Sequence, residues 1–414
     1  METLAGAFES SLLGQRVFWQ YLSIPLVAAV VGYFTNWIAI YMTFHPLRFR
    51  GIRPWLGWQG IIPKKAEKMA STFIKTTMYR LGSLPELFAE MEPDVIVRHI
   101  DKVLAPRLDH YADDVLAASQ GQTWESAPQT MRRQVYAHVR RRIPELVRAI
   151  VADVGDHIEE LLDFEHMVVT RLKNDKPLLN RLFLDSGRAE FKLVIDCGYY
   201  FGFLFGLLQL VWWLIYPAPW TLAFAGAVHG WLTNYLALNL IFRPLRPTRV
   251  GPWTVQGLFL RRQKEVAGIW CHIVTREILT IRAMMRSMLT GPRAARAHEV
   301  IRHHLKPLVK EAVDAAGPLA QMTVGSAGIG RIEQKLGDKA LAISSDPFED
   351  EPFNRERAEV VEHMLRERME KMPPEDFQDL LRPCFKEDEK TLLALGSVVG
   401  FVVGLLQHWL FFAL

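Results

Sequence analysis

Gly32-Tyr33-Phe34-Thr35-Asn36-Trp37-Ile38-Ala39-Ile40 returns later in the same chain as Gly230-Trp231-Leu232-Thr233-Asn234-Tyr235-Leu236-Ala237-Leu238. Each copy runs on into Phe, a basic-type residue and Pro-Leu-Arg, as Phe44-His45-Pro46-Leu47-Arg48 and Phe242-Arg243-Pro244-Leu245-Arg246. The offset is 198 residues, and a second landmark keeps it. Gly198, Gly202 and Gly206, closed by Leu207-Leu208-Gln209, reappear as Gly396, Gly400 and Gly404 with Leu405-Leu406-Gln407. Chance can supply one small-residue pattern in apolar sequence, but not two long matches in one order at one spacing. The chain reads as a tandem duplication.

Half of the 414 residues are hydrophobic, yet they concentrate around these landmarks rather than spreading evenly. Val17 to Phe44, Cys197 to Tyr216, Trp220 to Phe242 and Thr391 to Leu414 hold no Asp, Glu, Lys or Arg. Each is long enough to cross a hydrocarbon core of about 30 Å as a helix. A buried core helix is the plain alternative for any one of them; four in one chain, rich in Gly, Phe and Trp, favour the membrane. The expected class is an all-α integral membrane protein. Transmembrane helices are expected at 17–44, 193–216, 219–242 and 391–414, after an N-terminal tail over 1–16. Two acids, Glu2 and Glu9, precede Arg16 in that tail, which disfavours a cleaved signal peptide.

Between the spans lie two soluble inserts, expected as helical cytoplasmic domains over 45–192 and 243–390. Two spans per repeat is an even number. The repeats then share one orientation and are related by an axis along the membrane normal, unlike an inverted repeat. Arg48, Arg50, Arg53 and Lys64 follow the first span, and Arg243, Arg246, Arg249, Arg261 and Arg262 follow the third. The Tyr216-Pro217-Ala218-Pro219-Trp220 turn and the stretch to Leu414 carry no charged side chain. Positive-inside logic puts both inserts in the cytoplasm and both termini in the periplasm.

The inserts show helical spacing, as in Val97, Ile100, Val103, Leu104 and Leu108, and strand-like alternation is scarce. Pro85, Pro93, Pro106, Pro144 and Pro177 divide the first into helices of ordinary length. In the second, helices are expected around Arg261–Leu289, Ala297–Ala316 and Arg355–Met372, with an acidic loop over Ser344–Asn354 and a flexible connection at Gly325-Ser326-Ala327-Gly328-Ile329-Gly330. No sheet is expected.

On a helix, Gly32, Thr35, Asn36, Ala39 and Thr43 share one face, as do Gly230, Thr233, Asn234 and Ala237. Small residues let backbones approach, and Thr and Asn can hydrogen-bond where lipid offers no partner. The glycine ladders ending at Gln209 and Gln407 can face them. Two readings stay open: packing of a four-helix core, or a polar path lined by Thr35, Asn36, Thr233, Asn234, Gln209 and Gln407.

Trp58-Gln59-Gly60-Ile61-Ile62-Pro63-Lys64-Lys65 parallels Val255-Gln256-Gly257-Leu258-Phe259-Leu260-Arg261-Arg262. Both read as interfacial turns entering a helix, with Pro63 suited to a first helical position. Paired cations at a helix start oppose its dipole, so Lys64, Lys65, Arg261 and Arg262 are candidates to hold lipid phosphates, near Trp55, Trp58 and Trp253. Plain topology determinants are the alternative. Phe385-Lys386-Glu387-Asp388-Glu389 and Gly187-Arg188-Ala189-Glu190-Phe191 stand before the returning spans; consecutive acids point apart on a helix, so a salt bridge to the basic segment is expected rather than a metal site.

Phosphate-loop, zinc-protease and nucleophile-elbow motifs are absent. Cys197, Cys271 and Cys384 lack disulfide or metal spacing. Pairs such as His157 with Glu160 or Glu165 with His166 could meet a metal only by accident of tertiary structure. No catalysis, cofactor or metal is expected, and no nucleic acid.

The Gly-aromatic-x-Thr-Asn-x-x-Ala motif at Gly32 and Gly230, the Gln-Gly-x-x-Pro-basic-basic element at Gln59 and the Phe-x-Glu-Asp-Glu segment at Phe385 resemble a bacterial membrane family known as domain of unknown function 445, over nearly the whole chain. Leu260 stands where the first repeat has Pro63, and the first repeat lacks the Glu-Asp-Glu run. The resemblance implies a bacterial inner-membrane location and supplies no activity. Two functions remain in view: a non-enzymatic scaffold or binding protein whose helical domains meet membrane lipids, a protein partner or copies of themselves, or a transporter or conduit for lipid or another amphipathic molecule. A conduit needs an apolar groove or tunnel in the inserts, and a scaffold needs a closed core.

Overall fold

The computed structural model describes residues 2–52, 56–379, 382 and 389–411. Expectations resting on Arg53, Trp55, Cys384, Phe385, Lys386, Glu387, Asp388 or Leu414 fall outside the described residues, as do those resting on the side chains of Arg16 and Trp253.

Helix α1 runs Glu2–Phe44, followed by strands β1 (Arg50–Ile52) and β2 (Leu56–Trp58), α2 (Ile61–Lys64), α3 (Ala66–Phe73), α4 (Pro93–Leu104), α5 (Leu108–Gln120), α6 (Gln129–Asp156), α7 (Lys176–Ser186) and α8 (Arg188–Ile215). The second half has α9 (Pro219–Phe242), β3 (Thr248–Val250), β4 (Trp253–Val255), α10 (Leu258–Arg261), α11 (Gln263–Glu277), α12 (Ile281–Thr290), α13 (Ala294–Ala315), α14 (Pro318–Ile343), α15 (Glu351–Glu370) and α16 (Glu389–Phe411). Shorter turns link them.

Several expectations are corrected. Two antiparallel hairpins stand where no sheet was expected, with Arg50 opposite Trp58 and Thr248 opposite Val255. Gly251, at φ 62°, supplies the left-handed backbone for the second turn. Strands of three residues are too short to announce themselves by alternation. The stretch 2–16 is not a separate tail but the start of α1. Helix α2 opens at Ile61, so Pro63 is its third residue. Pro144 sits inside the 28-residue α6 instead of ending a helix; packing on both sides of it outweighs the roughly 3 kcal/mol that an interior proline costs. The glycine-rich run at Gly325 is a kink within α14, with Gly325 at φ 58°, and the supposed acidic loop is a 3-10 turn, Asp346–Glu349, leading straight into α15.

The chain divides into two compact units, though not at the insert boundaries. One comprises 1–77, 172–270 and 369–414; the other comprises 78–171 and 271–368. The stretches expected as separate domains, 45–192 and 243–390, thus each contribute to both units, and their central parts fold together.

In the first unit α1 packs along α8, and α9 along α16. Among the described residues three helices are long and apolar enough to cross a membrane, Phe18–Phe44, Arg188–Ile215 and Glu389–Leu410. Helix α9 has 24 residues, but His229, Asn234 and Asn239 lower its hydropathy. Large apolar side chains, among them Trp19, Phe34, Leu208, Trp212 and Phe224, point outward. Water would penalise that arrangement and hydrocarbon does not.

The second unit is all-helical. Among the described residues, its buried apolar side chains include several clusters. Val115 groups with Val309, Val313 and Ile332; Val97 with Val147 and Val151; and Ile301 with Leu305 and Leu308. Helix α6 of the first insert lies on α13 of the second, and α5 on α14.

Candidate functional site

The polar stripe of the first unit is buried, and the glycine ladders put it there. A Cβ on Gly32 would lie 2.1 Å from the Gly198 carbonyl oxygen, and one on Gly230 would lie 2.0 Å from that of Gly396. Gly202 meets the Ala28 carbonyl, Gly206 meets Pro25, Gly400 meets Gly226 and Gly404 meets Leu222 in the same way. At this separation Asn36 Nδ2 donates to the Val194 carbonyl at 2.7 Å, and Asn234 Nδ2 to that of Leu392 at 2.8 Å. Thr35 and Thr233 turn back to donate to their own helices, at Val31 and His229. Gln407 Nε2 stands 3.5 Å from Ser23 Oγ. Gln209, 7% exposed, lines a cavity of about 30 Å³ with Gln407, Thr233 and His229. A second void of about 20 Å³ touches Asn36 and Asn234. Each holds about one water. The geometry is that of close packing with polar cross-links. His229, which the sequence reading passed over, stacks on Phe205 at 5.5 Å, and its Nδ1 has no hydrogen-bond partner.

The connections after α1 and α9 are built alike. Gln59 Nε2 donates to Leu47 and Gln256 Nε2 to Leu245, while Gly60 N–H and Gly257 N–H donate to Pro46 and Pro244. The basic candidates that follow do not act as a set. Lys64 and Arg261 are exposed and Lys65 is half-buried. Arg262 turns to Glu190, Nη1 to Oε1 at 2.7 Å, and also pairs with Glu265. Glu190 is 1% exposed at its side chain. Glu190 is therefore salt-bridged to the basic segment that follows α9, and Arg262 pairs with two carboxylates.

A large cavity lies in the second unit. It has a volume of about 640 Å³ and is walled by α5, α6, α13 and α14 through residues such as Val115, Ile143, Val147, Leu305, Leu308 and Val309. The clusters described above are its walls. Were it closed and empty, about 24 cal/mol per Å³ would put its cost near 15 kcal/mol, as much as the entire stability of an ordinary domain. It is not closed. Thr123, Ser126, Thr130 and Gln134, all exposed, border an opening, as do half-buried Tyr111 and Lys339. The size lies within the range of about 300–1,000 Å³ typical of ligand sites. Sequence reasoning missed it because a residue lining a void has the same apolar spacing as one filling a core.

Beside this cavity Asp153 of α6 joins two histidines. Its Oδ1 is 2.8 Å from His157 Nδ1, and its Oδ2 is 3.0 Å from His304 Nε2 on α13. Glu160 is taken up by Arg296. Among the described residues no three His, Cys, Asp or Glu are placed to hold a metal. The hydrogen bond from His304 holds the Asp153 carboxyl below its usual range, and the Asp153 backbone carbonyl and then its carboxylate push the His157 imidazole up. The depressed carboxyl contributes stability above an unfolded pKa of about 3.9 and loses it as pH falls through the lower folded value; the raised imidazole contributes below about 6.5 and loses it as pH rises through the higher folded value. The contact should be strongest between those limits. Unfolding midpoints measured across pH should fall off on both sides, and Asp153→Asn should flatten both limbs; an unchanged profile in the variant would refute the assignment.

No family model matches the chain, and no solved structure matches it. Part of it is similar to proteins named UPF0754 membrane protein. Identity is 40% over 75 residues with that of Synechococcus sp. (strain JA-2-3B'a(2-13)), covering 17% of this chain and 18% of the relative. It is 39% over 71 residues with that of Nostoc sp. (strain PCC 7120 / SAG 25.82 / UTEX 2576), covering 17% of each. It is 44% over 62 residues with that of Shouchella clausii (strain KSM-K16), covering 14% of this chain and 16% of the relative. The similarity thus spans less than a fifth of these curated relatives. Their names and the three apolar helices agree on a membrane location.

Proposed function

We propose that this chain is a non-enzymatic bacterial inner-membrane protein that binds the apolar part of an amphipathic molecule in the cavity formed jointly by its two inserts. The membrane part consists of four spans, α9 being the least apolar, in two repeats of the same sense. The inserts lie on the cytoplasmic side and the termini in the periplasm. The resemblance to domain of unknown function 445 and the partial relatives both fit this reading. Asn36 with Val194 and Asn234 with Leu392, each 158 residues apart, support the repeat.

The observation that carries the functional reading is the 640 Å³ apolar cavity. A scaffold would have a filled core there, and its partner or second copy would dock on an outer face. The tightly packed membrane helices and their water-sized voids argue against a path through the bilayer part. Binding and hand-over of an amphiphile is therefore the reading favoured over both a scaffold and a transmembrane conduit.

The test is extraction and mass spectrometry of protein purified from native membranes. The wild-type chain should retain a long-chain amphiphile in amounts matching the protein, and Val309→Trp, or Ala312→Phe should that variant fold poorly, should lose it. Equal amphiphile in wild type and a folded cavity-filled variant would refute the reading.

A further inference from the structure

We propose that the occupant of the cavity is a single-chain amphiphile with an anionic head, of the fatty-acid type, and that Lys339 receives that head. This rests on the reading of the cavity just given and adds the chemistry of its ligand. Among the described residues lining the cavity, Lys339 alone carries a charge; the others are aliphatic, aromatic or neutral polar. Its side chain is 31% exposed, so it stands where the apolar volume meets water. Its Nζ lies 2.7 Å from Asp114 Oδ2 and 5.1 Å from the centre of the Tyr111 ring. An ammonium has three donors, and Asp114 occupies one of them. Another can reach a ligand carboxylate without breaking the ion pair.

The rim around Lys339 is mixed in charge, with Asp113 and Asp114 beside it. Arg107 lies close enough to Tyr111 and Asp346 for both to favour its charged form. His110 stands 3.8 Å from Asp114. The hydrogen bond from Lys339 holds the Asp114 carboxyl below its ordinary range, which keeps Asp114 ionised and Lys339 aimed along the cavity edge. One apolar volume suits one alkyl chain. A head seated on Thr123, Ser126, Thr130 and Gln134 would instead be neutral, because those rim residues offer hydroxyls and amides without charge.

The two heads are separated by measuring tritiated palmitate and tritiated hexadecanol on the full-length protein in phosphatidylcholine nanodiscs, with empty discs subtracted. Palmitate should bind about tenfold tighter than hexadecanol, the scale of one charge-assisted contact. Lys339→Gln should erase that difference and leave hexadecanol unchanged, and Lys339→Arg should keep it. Asp114→Asn, which frees the ammonium, should tighten palmitate alone. Equal binding of the two probes, insensitive to K339Q but abolished by V309W, would overturn the anionic head and leave the cavity reading standing. Binding of both probes unaffected by V309W would overturn the cavity reading and this inference with it. Should K339Q unfold the protein, D114N decides: palmitate affinity unchanged or weakened overturns the assignment to Lys339.

Discussion

Gly32→Ala should unfold the membrane unit, one of the largest losses expected from any single methyl group in this chain. The new Cβ would sit 2.1 Å from the Gly198 carbonyl oxygen and 3.3 Å from the Gly202 Cα. Both are backbone atoms, so no side-chain rotation can make room, and α1 and α8 would have to separate. Separation lifts the rest of the ladder too, because Gly198, Gly202 and Gly206 each place backbone or Cβ atoms of α1 within 3 Å of the space a methyl would fill. It also draws Asn36 away from the Val194 carbonyl. Overpacking ordinarily costs about 1–3 kcal/mol; with a rigid obstacle and a shared ladder the cost here should exceed about 3 kcal/mol. Gly230→Ala, facing the Gly396 carbonyl at 2.0 Å, should cost as much. Gly330→Ala is the control: nothing lies within 4 Å of its Cβ position, so the helix should gain up to about 1 kcal/mol. Unfolding midpoints in nanodiscs report all three. A Gly32→Ala protein melting with the wild type would mean that α1 and α8 do not approach so closely.

Arg262→Ala should be nearly as damaging, for an electrostatic reason. Glu190 is 1% exposed, its Oε1 meets Arg262, and its Oε2 has no partner. Removing the guanidinium strands a buried carboxylate. Loss of one member of a buried pair typically costs about 3–5 kcal/mol, whereas replacing both members is often neutral. Arg262→Ala alone should therefore lower stability by about that amount, and adding Glu190→Leu should restore most of it. Glu265, exposed on the surface, also touches Arg262, yet Glu265→Ala should change little, as expected of an exposed pair. A double variant no more stable than Arg262→Ala would show that the interaction with Glu190 is not what Arg262 supplies.

What the sequence revealed and what it hid have separate physical causes. Recurrence is local information. The Gly32 and Gly230 motifs, the glycine ladders and the Gln59 and Gln256 turns can be compared within one chain, and their contacts in the folded protein correspond pair by pair. The Glu190 salt bridge was partly legible, since acids before one helix and bases after another invite pairing, but the choice of Arg262 over Lys64 depends on tertiary geometry. The cavity was not legible. Val147 and Leu305 carry the same helical periodicity whether their neighbours fill the space between them or not. Lys339 and Asp114 are separated by 225 residues, and no local pattern joins them. Pro144 and Gly325 misled because a helix interior tolerates them when packing compensates. The joining of two inserts into one unit was hidden because an amphipathic helix announces that it needs a partner without saying which.

That joining governs how the protein can be made. When residues 78–171 leave the ribosome, Val115 has no counterpart, since its partners Val309, Val313 and Ile332 on α13 and α14 are encoded beyond two further apolar helices. At about 5–20 residues per second the delay is on the order of 10 s, long beside the sub-millisecond collapse of a free chain. The nascent first stretch must wait with part of its greasy side uncovered. Assembly can finish only once the later stretch, 271–368, has been translated.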